Sequence, residues 1–164
     1  MSKGPRIKRA DALKLVRRFR EEHFGNFVVA GSLRRRKATV GDVELVAVCA
    51  TEAERKSVEE TLKSLWGTLK TKPDKPKRSG ELYGIKFEIH IATPENLGAM
   101  LLHTTGSAEW NIVCRVRAKR RGYKLNQYGL WQGDKQVCRA NFEYAILQTT
   151  GVPYTEPENR EVGR

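Results

Sequence analysis

The sequence contains no apolar run near the ~20 residues of a membrane-spanning helix, and its first residues form no apolar leader. Its three cysteines are widely spaced and include no Cys-x-x-Cys pair, which disfavours a disulfide framework and a zinc site. No segment repeats elsewhere in the chain. These absences argue against a membrane protein, a disulfide-rich secreted domain and a repeat protein. They predict a soluble, intracellular chain that we expect to be a monomer.

Acidic residues are scarce relative to basic ones. The chain has 19 Asp and Glu against 31 Lys and Arg, a formal net charge of +12 over 164 residues. This charge favours a polyanionic partner through the local field and counterion release, although a merely solvated basic protein has the same composition. The length suffices for one core or for two small lobes joined by a hinge.

Two carboxylates stand two residues apart in a segment, 42–50, that is typical of a strand. Side chains on a strand alternate between faces, so Asp42 and Glu44 share one face, roughly 6–7 Å apart. Val43 and Leu45 then point into a core. Carboxylate pairs of this kind suit Mg²⁺ or Mn²⁺.

A third carboxylate lies in the strand predicted over 82–92. Phe87 and Ile89 occupy the apolar face of that strand, and Glu88 occupies the opposite face. A carboxylate there is costly unless it is paired or binds a metal. Glu88 is therefore the candidate third metal ligand, and an ion pair with a neighbouring Lys or Arg is the alternative.

A Gly-Ser pair upstream of the first two carboxylates predicts a phosphate-binding turn. Gly31 permits close backbone approach, and Ser32 offers both an N–H and a hydroxyl group. The four cations at 34–37 have the charge to neutralise a triphosphate or a nucleic-acid backbone, although such a run is by itself typical of a solvated loop. Next to metal ligands, this pattern indicates chemistry on a nucleoside triphosphate.

Apolar periodicity, cap signals and turn residues predict the other elements. Thr51 and Glu54 have the spacing of a capping box for the helix that follows. Residues 104–107 form the predicted hinge. The other predictions are helices over 10–23, 93–103, 107–122 and 141–149, a strand over 27–30, a basic surface hairpin or loop over 70–79 and hairpin strands within 123–137.

The helix predicted from Ser107 carries a basic face. Asn111 and Arg115 lie four residues apart and share a helix face, from which they have the reach for base edges in a minor groove. Arg117 and Lys119 extend the positive charge, which is compatible with tracking a duplex. A solvated charged face is the alternative interpretation.

The ordered motifs of this chain resemble those of the X-family DNA polymerases. The segment Gly31-Ser32-Leu33-Arg34-Arg35 followed by Gly41-Asp42-Val43-Glu44 is similar to the family's Gly-Ser-x-Arg-Arg and Gly-Asp-x-Asp signature at the same spacing. The resemblance spans nearly the whole chain. Further segments match family motifs in order: Arg6-Ile7-Lys8-Arg9, Phe87-Glu88-Ile89, Thr105-Gly106-Ser107 with Asn111 and Arg115, and residues 124–128 and 151–157.

The resemblance implies an α/β (α+β) fold: a nucleotidyltransferase palm with a mixed β-sheet and helices in residues 1–104, and a small C-terminal α+β, nucleotide-selecting subdomain in residues 105–164. Among family members the chain resembles the small viral forms, without the lyase and helix-hairpin-helix domains. The implied activity is that of a DNA polymerase, which adds nucleotides to a primer 3′-hydroxyl and releases pyrophosphate. Short-gap filling in DNA repair is the implied setting.

The same resemblance implies the partners and the site. The partners are a DNA primer–template or gapped duplex and a dNTP, with two Mg²⁺ or Mn²⁺ ions as cofactors. Asp42, Glu44 and Glu88 are the implied catalytic metal ligands. The implied nucleotide-binding residues are Arg6, Gly31, Ser32, Arg35, Gly41, His103, Thr104, Gly106 and Asn111, and the implied DNA-binding residues are Arg115, Arg117, Lys119 and Lys124.

Departures from the family pattern leave two alternatives open. His103 and Thr104 replace the aromatic pair that crowds the 2′ side of the sugar, which favours a ribonucleotide-incorporating or template-independent nucleotidyltransferase. Glu44 and Glu88 replace aspartates; glutamates still hold metal, but a catalytically silent nucleic-acid-binding module is the second alternative.

Overall fold

The computed structural model describes residues 5–67 and 77–161. Contacts between residues divide the chain into a first unit that ends at Ala92 and a second unit that begins at Thr93. The functional boundary at 104/105 stays a prediction, and most of the predicted loop 70–79 lies outside the described residues. Within the two described ranges, no helix is both long and apolar enough to cross a membrane.

The first unit is built on a four-stranded mixed sheet, which confirms the predicted fold class. The strand order is β2-β4-β6-β5; β4 and β6 are parallel and the other neighbours are antiparallel. A separate two-stranded sheet pairs β1 with β3. The elements are β1 (Ile7–Lys8), α1 (Arg9–Glu22), β2 (Phe27–Val29), α2 (Gly31–Arg34), β3 (Thr39–Val40), β4 (Asp42–Val48), α3 (Glu52–Trp66), β5 (Lys77–Leu82) and β6 (Ile85–Ala92).

One face of the mixed sheet carries the core of the first unit. Leu45 on β4 and Phe87 and Ile89 on β6 are fully buried, as the alternation of these strands predicts. Phe19 of α1 stacks on Phe87 with ring centroids 5.5 Å apart, and Leu62 of α3 belongs to the same cluster. Because the apolar side chains use this face, the alternate residues of β4 and β6 emerge on the other.

One local prediction for the first unit was wrong, and another is now specified. Residues 77–79, predicted as part of a hairpin or loop, begin β5 and pair with β6, where Lys77 lies opposite His90. The Gly31-Ser32 pair is not a simple turn but begins the one-turn helix α2, in which the Arg35 N–H donates to the Gly31 carbonyl at 3.1 Å. The capping box predicted at Thr51 is confirmed.

The second unit combines helices with a three-stranded antiparallel sheet in the order β7-β8-β9. Its core contains Leu102, Cys114, Ile146 and Leu147. The predicted cap of the second helix is confirmed, because the Ser107 hydroxyl oxygen accepts from the Trp110 N–H at 3.3 Å. The elements are α4 (Leu97–Thr105), α5 (Ala108–Arg120), β7 (Lys124–Asn126), β8 (Gly129–Gln132), β9 (Lys135–Gln136), α6 (Glu143–Thr150) and a 3₁₀ helix (Pro157–Asn159).

Helix α4 starts later than the sequence predicted. The predicted start at Thr93 was wrong, because the Thr93 N–H donates to the Asn96 side-chain oxygen at 3.0 Å. The Asn96 N–H in turn donates to the Thr93 carbonyl at 3.2 Å. These two bonds close a turn, so the helix begins only at Leu97.

Arg160, which follows the 3₁₀ helix, is fully buried and pairs with Glu143 of α6 at 2.7 Å. Its Nε also donates to the Thr155 carbonyl at 2.8 Å. Removing one partner of a buried pair leaves a charge without compensation. We expect Arg160→Met to lower the free energy of unfolding by about 3–5 kcal/mol, measured by urea denaturation.

The double variant Arg160→Met, Glu143→Leu provides the control for this loss. It removes both charges and is expected to recover most of the stability, because no isolated charge remains buried. A loss below about 1 kcal/mol for Arg160→Met alone would contradict the assigned role of the pair.

Candidate active site

The polar face of the mixed sheet brings the predicted carboxylates together. Strands β4 and β6 run parallel, with Glu44 beside Glu88 and Asp42 beside Lys86. Carboxylate oxygens of Glu44 and Glu88 lie within 4.8 Å of each other. Asp42 and Glu44 line one cleft. The structure therefore collects the three candidate metal ligands in one region of the first unit.

The carboxylates oppose one another's ionisation. Burial, and then the charges of Asp42 and Glu88, raise the pKa of Glu44 to about 7. Burial and the Glu88 charge also raise the pKa of Asp42 above its usual value. A divalent cation relieves such repulsion, and carboxylate oxygens are the ligands that Mg²⁺ and Mn²⁺ prefer. The donor set therefore fits divalent metal ions.

Glu88 lies where the sequence predicted a metal ligand, and it also forms the ion pair that was the alternative interpretation. Lys77 Nζ lies 2.9 Å from Glu88 Oε2, and Lys86 Nζ forms a second ion pair with Oε1. Burial tends to raise the pKa of Glu88, but the hydrogen bonds from Lys86 and Lys77 outweigh it and leave this pKa below its usual value. Glu88 is thus an ionised carboxylate whose charge the two ammonium groups balance.

A cleft of about 410 Å³ adjoins the Asp42–Glu44 pair. Arg6 is oriented towards β3, because its Nε donates to the Thr39 hydroxyl at 3.1 Å. Helix α2 supplies Ser32, and Arg35 follows it directly. The cleft is lined by Arg6, Ser32, Arg35, Gly41, Asp42, Glu44 and Lys86, so it unites two carboxylates with four of the predicted nucleotide-binding residues.

Gly31 lies against Glu44 in a left-handed backbone conformation, with φ +60°. A Cβ atom there would lie 2.7 Å from Glu44 Cδ and closer still to Oε2. We expect Gly31→Ala to displace the Glu44 carboxylate and to cost about 2–4 kcal/mol of stability, from backbone strain plus overpacking. Urea denaturation and a primer-extension assay measure the two losses.

Gly84→Ala is the matched control. Gly84 has φ +76°, and no atom lies within 4 Å of the position its Cβ would take. We expect a loss of about 1 kcal/mol from strain alone, with primer extension retained. Equal effects of the two substitutions would contradict the assignment of Gly31 as the close neighbour of Glu44.

The predicted nucleotide-binding residues of the second unit group around the end of α4. The Asn111 side-chain amide donates to the His103 carbonyl at 2.7 Å, and Arg115 Nη2 lies 3.1 Å from His103 Nδ1. These residues line one small cavity. Thr104 is buried and its hydroxyl donates to the Met100 carbonyl at 2.8 Å, so its side chain is used within the helix.

The other predicted site residues of the second unit lie at the end of α4, on α5 and on β7. Gly106 is the C-cap residue of α4, with φ +67°. The predicted DNA-binding residues Arg115, Arg117 and Lys119 on α5 are exposed, as is Lys124 on β7. Their charges are therefore available to solvent and to a polyanion.

Sequence reasoning predicted a Lys or Arg beside Glu88 as the alternative but did not identify Lys77. Lys77 lies in the segment predicted as a hairpin or loop, and its pairing through β5 brings it to Glu88. Lys86 and His90 do share the alternating polar face with Glu88, so the period-two pattern of β6 was the available signal. That pattern gives the face of a side chain but no partner for it.

Comparisons with known proteins point to one family. Residues 100–161 match the family model described as DNA polymerase beta thumb. Repair DNA polymerase X of African swine fever virus (isolate Tick/South Africa/Pretoriuskop Pr4/1996) is 27% identical over 146 residues, covering 82% of this chain and 81% of the viral protein. DNA polymerase/3'-5' exonuclease PolX of Bacillus subtilis is 28% identical over 163 residues, covering 93% of this chain and 28% of the bacterial protein.

A solved structure shares the fold. Leishmania infantum polymerase beta, determined as a ternary P/T complex, superposes with a TM-score of 0.70 at 22% identity. The match covers 96% of this chain and 77% of the other. It shows that both units adopt folds found in polymerase beta.

The mixed sheet that carries the carboxylate cluster therefore belongs to a fold shared with polymerase beta. The matches to the polymerase beta thumb model, to repair DNA polymerase X and to PolX support a small DNA polymerase of the X family, whose members are metal-dependent enzymes in general. The family resemblance inferred from the sequence motifs, and with it the assignment as an enzyme and DNA polymerase, is confirmed.

Proposed function

We propose that this chain fills short gaps in DNA by adding nucleotides to a primer 3′-hydroxyl with release of pyrophosphate. The observation that carries the proposal is the cleft in which Asp42 and Glu44 stand beside Arg6 and Arg35. Metal ligands next to fixed cations suit a metal-bound triphosphate. The names of the relatives, repair DNA polymerases in several isolates of one virus, support the repair setting.

In this proposal Asp42 and Glu44 would hold two divalent ions, Mg²⁺ or Mn²⁺, and Glu88 would help to hold the ion that activates the primer 3′-hydroxyl. When bound, the ions would activate that hydroxyl and neutralise charge on the triphosphate. The raised pKa of Glu44 supports this arrangement, because repelling carboxylates bind a cation in place of a proton.

We assign the remaining site residues by unit. In the first unit Gly31, Ser32, Arg35, Gly41 and Arg6 bind the triphosphate through backbone N–H groups and cations. In the second unit His103, Thr104, Gly106 and Asn111 select the nucleotide. Residues 1–104 then act as the catalytic palm and residues 105–164 as the nucleotide-selecting subdomain.

In this proposal, exposed cations of the second unit contact the DNA. Arg115, Arg117, Lys119 and Lys124 are exposed on α5 and β7, and the chain carries a net charge of +12. Phosphate contacts of this kind release counterions and give a steep salt dependence. Binding to gapped duplex is therefore expected to weaken strongly between low and physiological salt.

The test is extension of a labelled primer across a one-nucleotide gap, with Mg²⁺ or Mn²⁺ and each dNTP in turn. Template-matched addition supports the proposal. Addition that ignores the template, or that proceeds equally well with rNTPs, favours the alternative motivated by His103. Absence of addition with both metals, alongside tight DNA binding, would instead identify a silent binding module.

A further inference from the structure

His90 stands next to the carboxylates but has no part in the polymerase proposal. It follows Glu88 by two residues on β6 and so shares its face, one pleat further along the strand. Its Nε2 lies 4.0 Å from Glu88 Oε2. One ligand atom from each of Glu44, Glu88 and His90 lies within 4.8 Å of the others.

The surroundings of this trio differ from those of the Asp42–Glu44 pair. The register places Asp42 beside Lys86, Glu44 beside Glu88 and Val46 beside His90. His90 and Asp42 therefore lie on opposite sides of the Glu44–Glu88 row. Glu88 and His90 are only 6% and 7% exposed, which makes this end of the row drier than the open cleft.

Ligand chemistry distinguishes the two ends of the row. Mg²⁺ prefers oxygen ligands and retains water, whereas imidazole suits Zn²⁺ and related first-row transition metals. Two carboxylates and one imidazole, with an open fourth position, form a donor set typical of zinc-type sites. Two ionised carboxylates and a histidine ligand, which binds metal as the neutral imidazole, together balance the charge of a dication.

We propose that Glu44, Glu88 and His90 form a second metal site, which takes a transition-metal dication such as Zn²⁺ or Co²⁺ in preference to Mg²⁺. It shares Glu44 and Glu88 with the ligand set assigned under the proposed function, and it rests on that function in no other way. An ion bound there occupies two of the three catalytic carboxylates, so it competes with the ions needed for nucleotide addition.

Small side-chain movements would bring the three ligand atoms to metal-binding distances. Ligand atoms at the corners of a tetrahedron with ~2.1 Å metal bonds are roughly 3.4 Å apart. The ligand atoms of the trio lie within 4.8 Å of one another, so their separations need to shorten by at most about 1.4 Å. Lys77 Nζ, 2.9 Å from Glu88 Oε2, already places a positive charge at this carboxylate. The metal ion replaces that charge, so Lys77→Met is expected to strengthen metal binding several-fold.

The test is a Co²⁺ titration of the full chain without nucleotide, followed by visible absorption, with Mg²⁺ as competitor. His90→Ala is expected to weaken Co²⁺ binding at least about tenfold and to change Mg²⁺ binding less than about twofold. The matched control is His23→Ala, because His23 lies in the same unit and packs against Phe19 instead. It is expected to leave both affinities unchanged.

Asp42→Asn separates this proposal from the polymerase proposal. This variant is expected to lose primer extension and to retain the Co²⁺ absorption, because Asp42 is not a ligand of the second site. Equal Co²⁺ affinity in the wild type and His90→Ala overturns the second site, as does loss of Co²⁺ binding in Asp42→Asn. Persistent extension by Asp42→Asn counts only against the proposed catalytic role of Asp42.

A measurement on the wild type covers the case in which His90→Ala does not fold. The chain has three histidines, His23, His90 and His103. Zn²⁺ is expected to shift the imidazole NMR signals of His90, and the shift is expected to be complete at one Zn²⁺ per chain. The signals of His23 and His103 are expected to stay in place. Unshifted His90 signals at saturating Zn²⁺ overturn the proposal.

Discussion

Asp42→Ala is expected to reduce nucleotide addition by about 10³-fold or more, equivalent to about 4 kcal/mol of lost transition-state stabilisation. Asp42 and Glu44 are the two carboxylates that line the cleft. Without Asp42, Glu44 alone would have to hold both ions, and one carboxylate supplies too little charge and too few oxygen ligands for two dications. Single-turnover extension of a gapped primer measures the loss without interference from product release.

DNA affinity separates a catalytic role of Asp42 from a structural one. The substitution removes a negative charge from a basic protein, so binding to gapped duplex is expected to stay equal or to tighten. Asp11→Ala is the matched control, because Asp11 is exposed on α1 and only pairs with Lys14 at 3.2 Å. A variant at Asp42 that retains full extension would remove the catalytic assignment.

The sequence was sufficient to predict the two strands that carry the carboxylates. Apolar residues alternate with polar ones from Asp42 and again from Ile85, so each strand specifies its own buried face. Because both apolar faces must join one core, the acidic residues of both strands emerge on one side of the sheet. The side of the sheet on which the three carboxylates lie therefore follows from that alternation alone.

Contacts that depend on strand register were beyond sequence reasoning. The sequence does not determine that β4 and β6 are parallel with Glu44 beside Glu88, since a shift by two residues would keep every side chain on its face. Lys77 follows a segment rich in lysine and proline that is typical of a loop. Lys77 belongs to a strand because β5 pairs with β6, and this pairing brings Lys77 to Glu88.

Glu44→Gln is expected to abolish nucleotide addition and yet to stabilise the metal-free protein at pH 8. Burial and the Asp42 and Glu88 charges raise the pKa of Glu44 to about 7, from an ordinary value of 4.5. Ionising Glu44 in the folded state is therefore costly, and the neutral amide avoids that cost. Urea denaturation at pH 5 and at pH 8, with chelator present, measures the effect.

The direction of this pH dependence follows from where the proton binds more tightly. The folded protein holds the Glu44 proton more tightly than the unfolded chain does, so the protonated carboxyl stabilises the fold fully below pH 4.5. That contribution is lost as the pH rises through about 7, and the loss is at most about 3 kcal/mol. The gain from Glu44→Gln should therefore be small at pH 5 and largest at pH 8.

Metal ions should reverse the order of stability. Mg²⁺ or Mn²⁺ binds the folded wild type through its ionised carboxylates and raises its free energy of unfolding, whereas the glutamine variant lacks one of these charges. At saturating metal and pH 8, the wild type is therefore expected to match or exceed the variant. A variant that is less stable than the wild type at pH 8 without metal would contradict the assigned repulsion, because it would mean that Asp42 and Glu88 impose no net cost on the Glu44 charge.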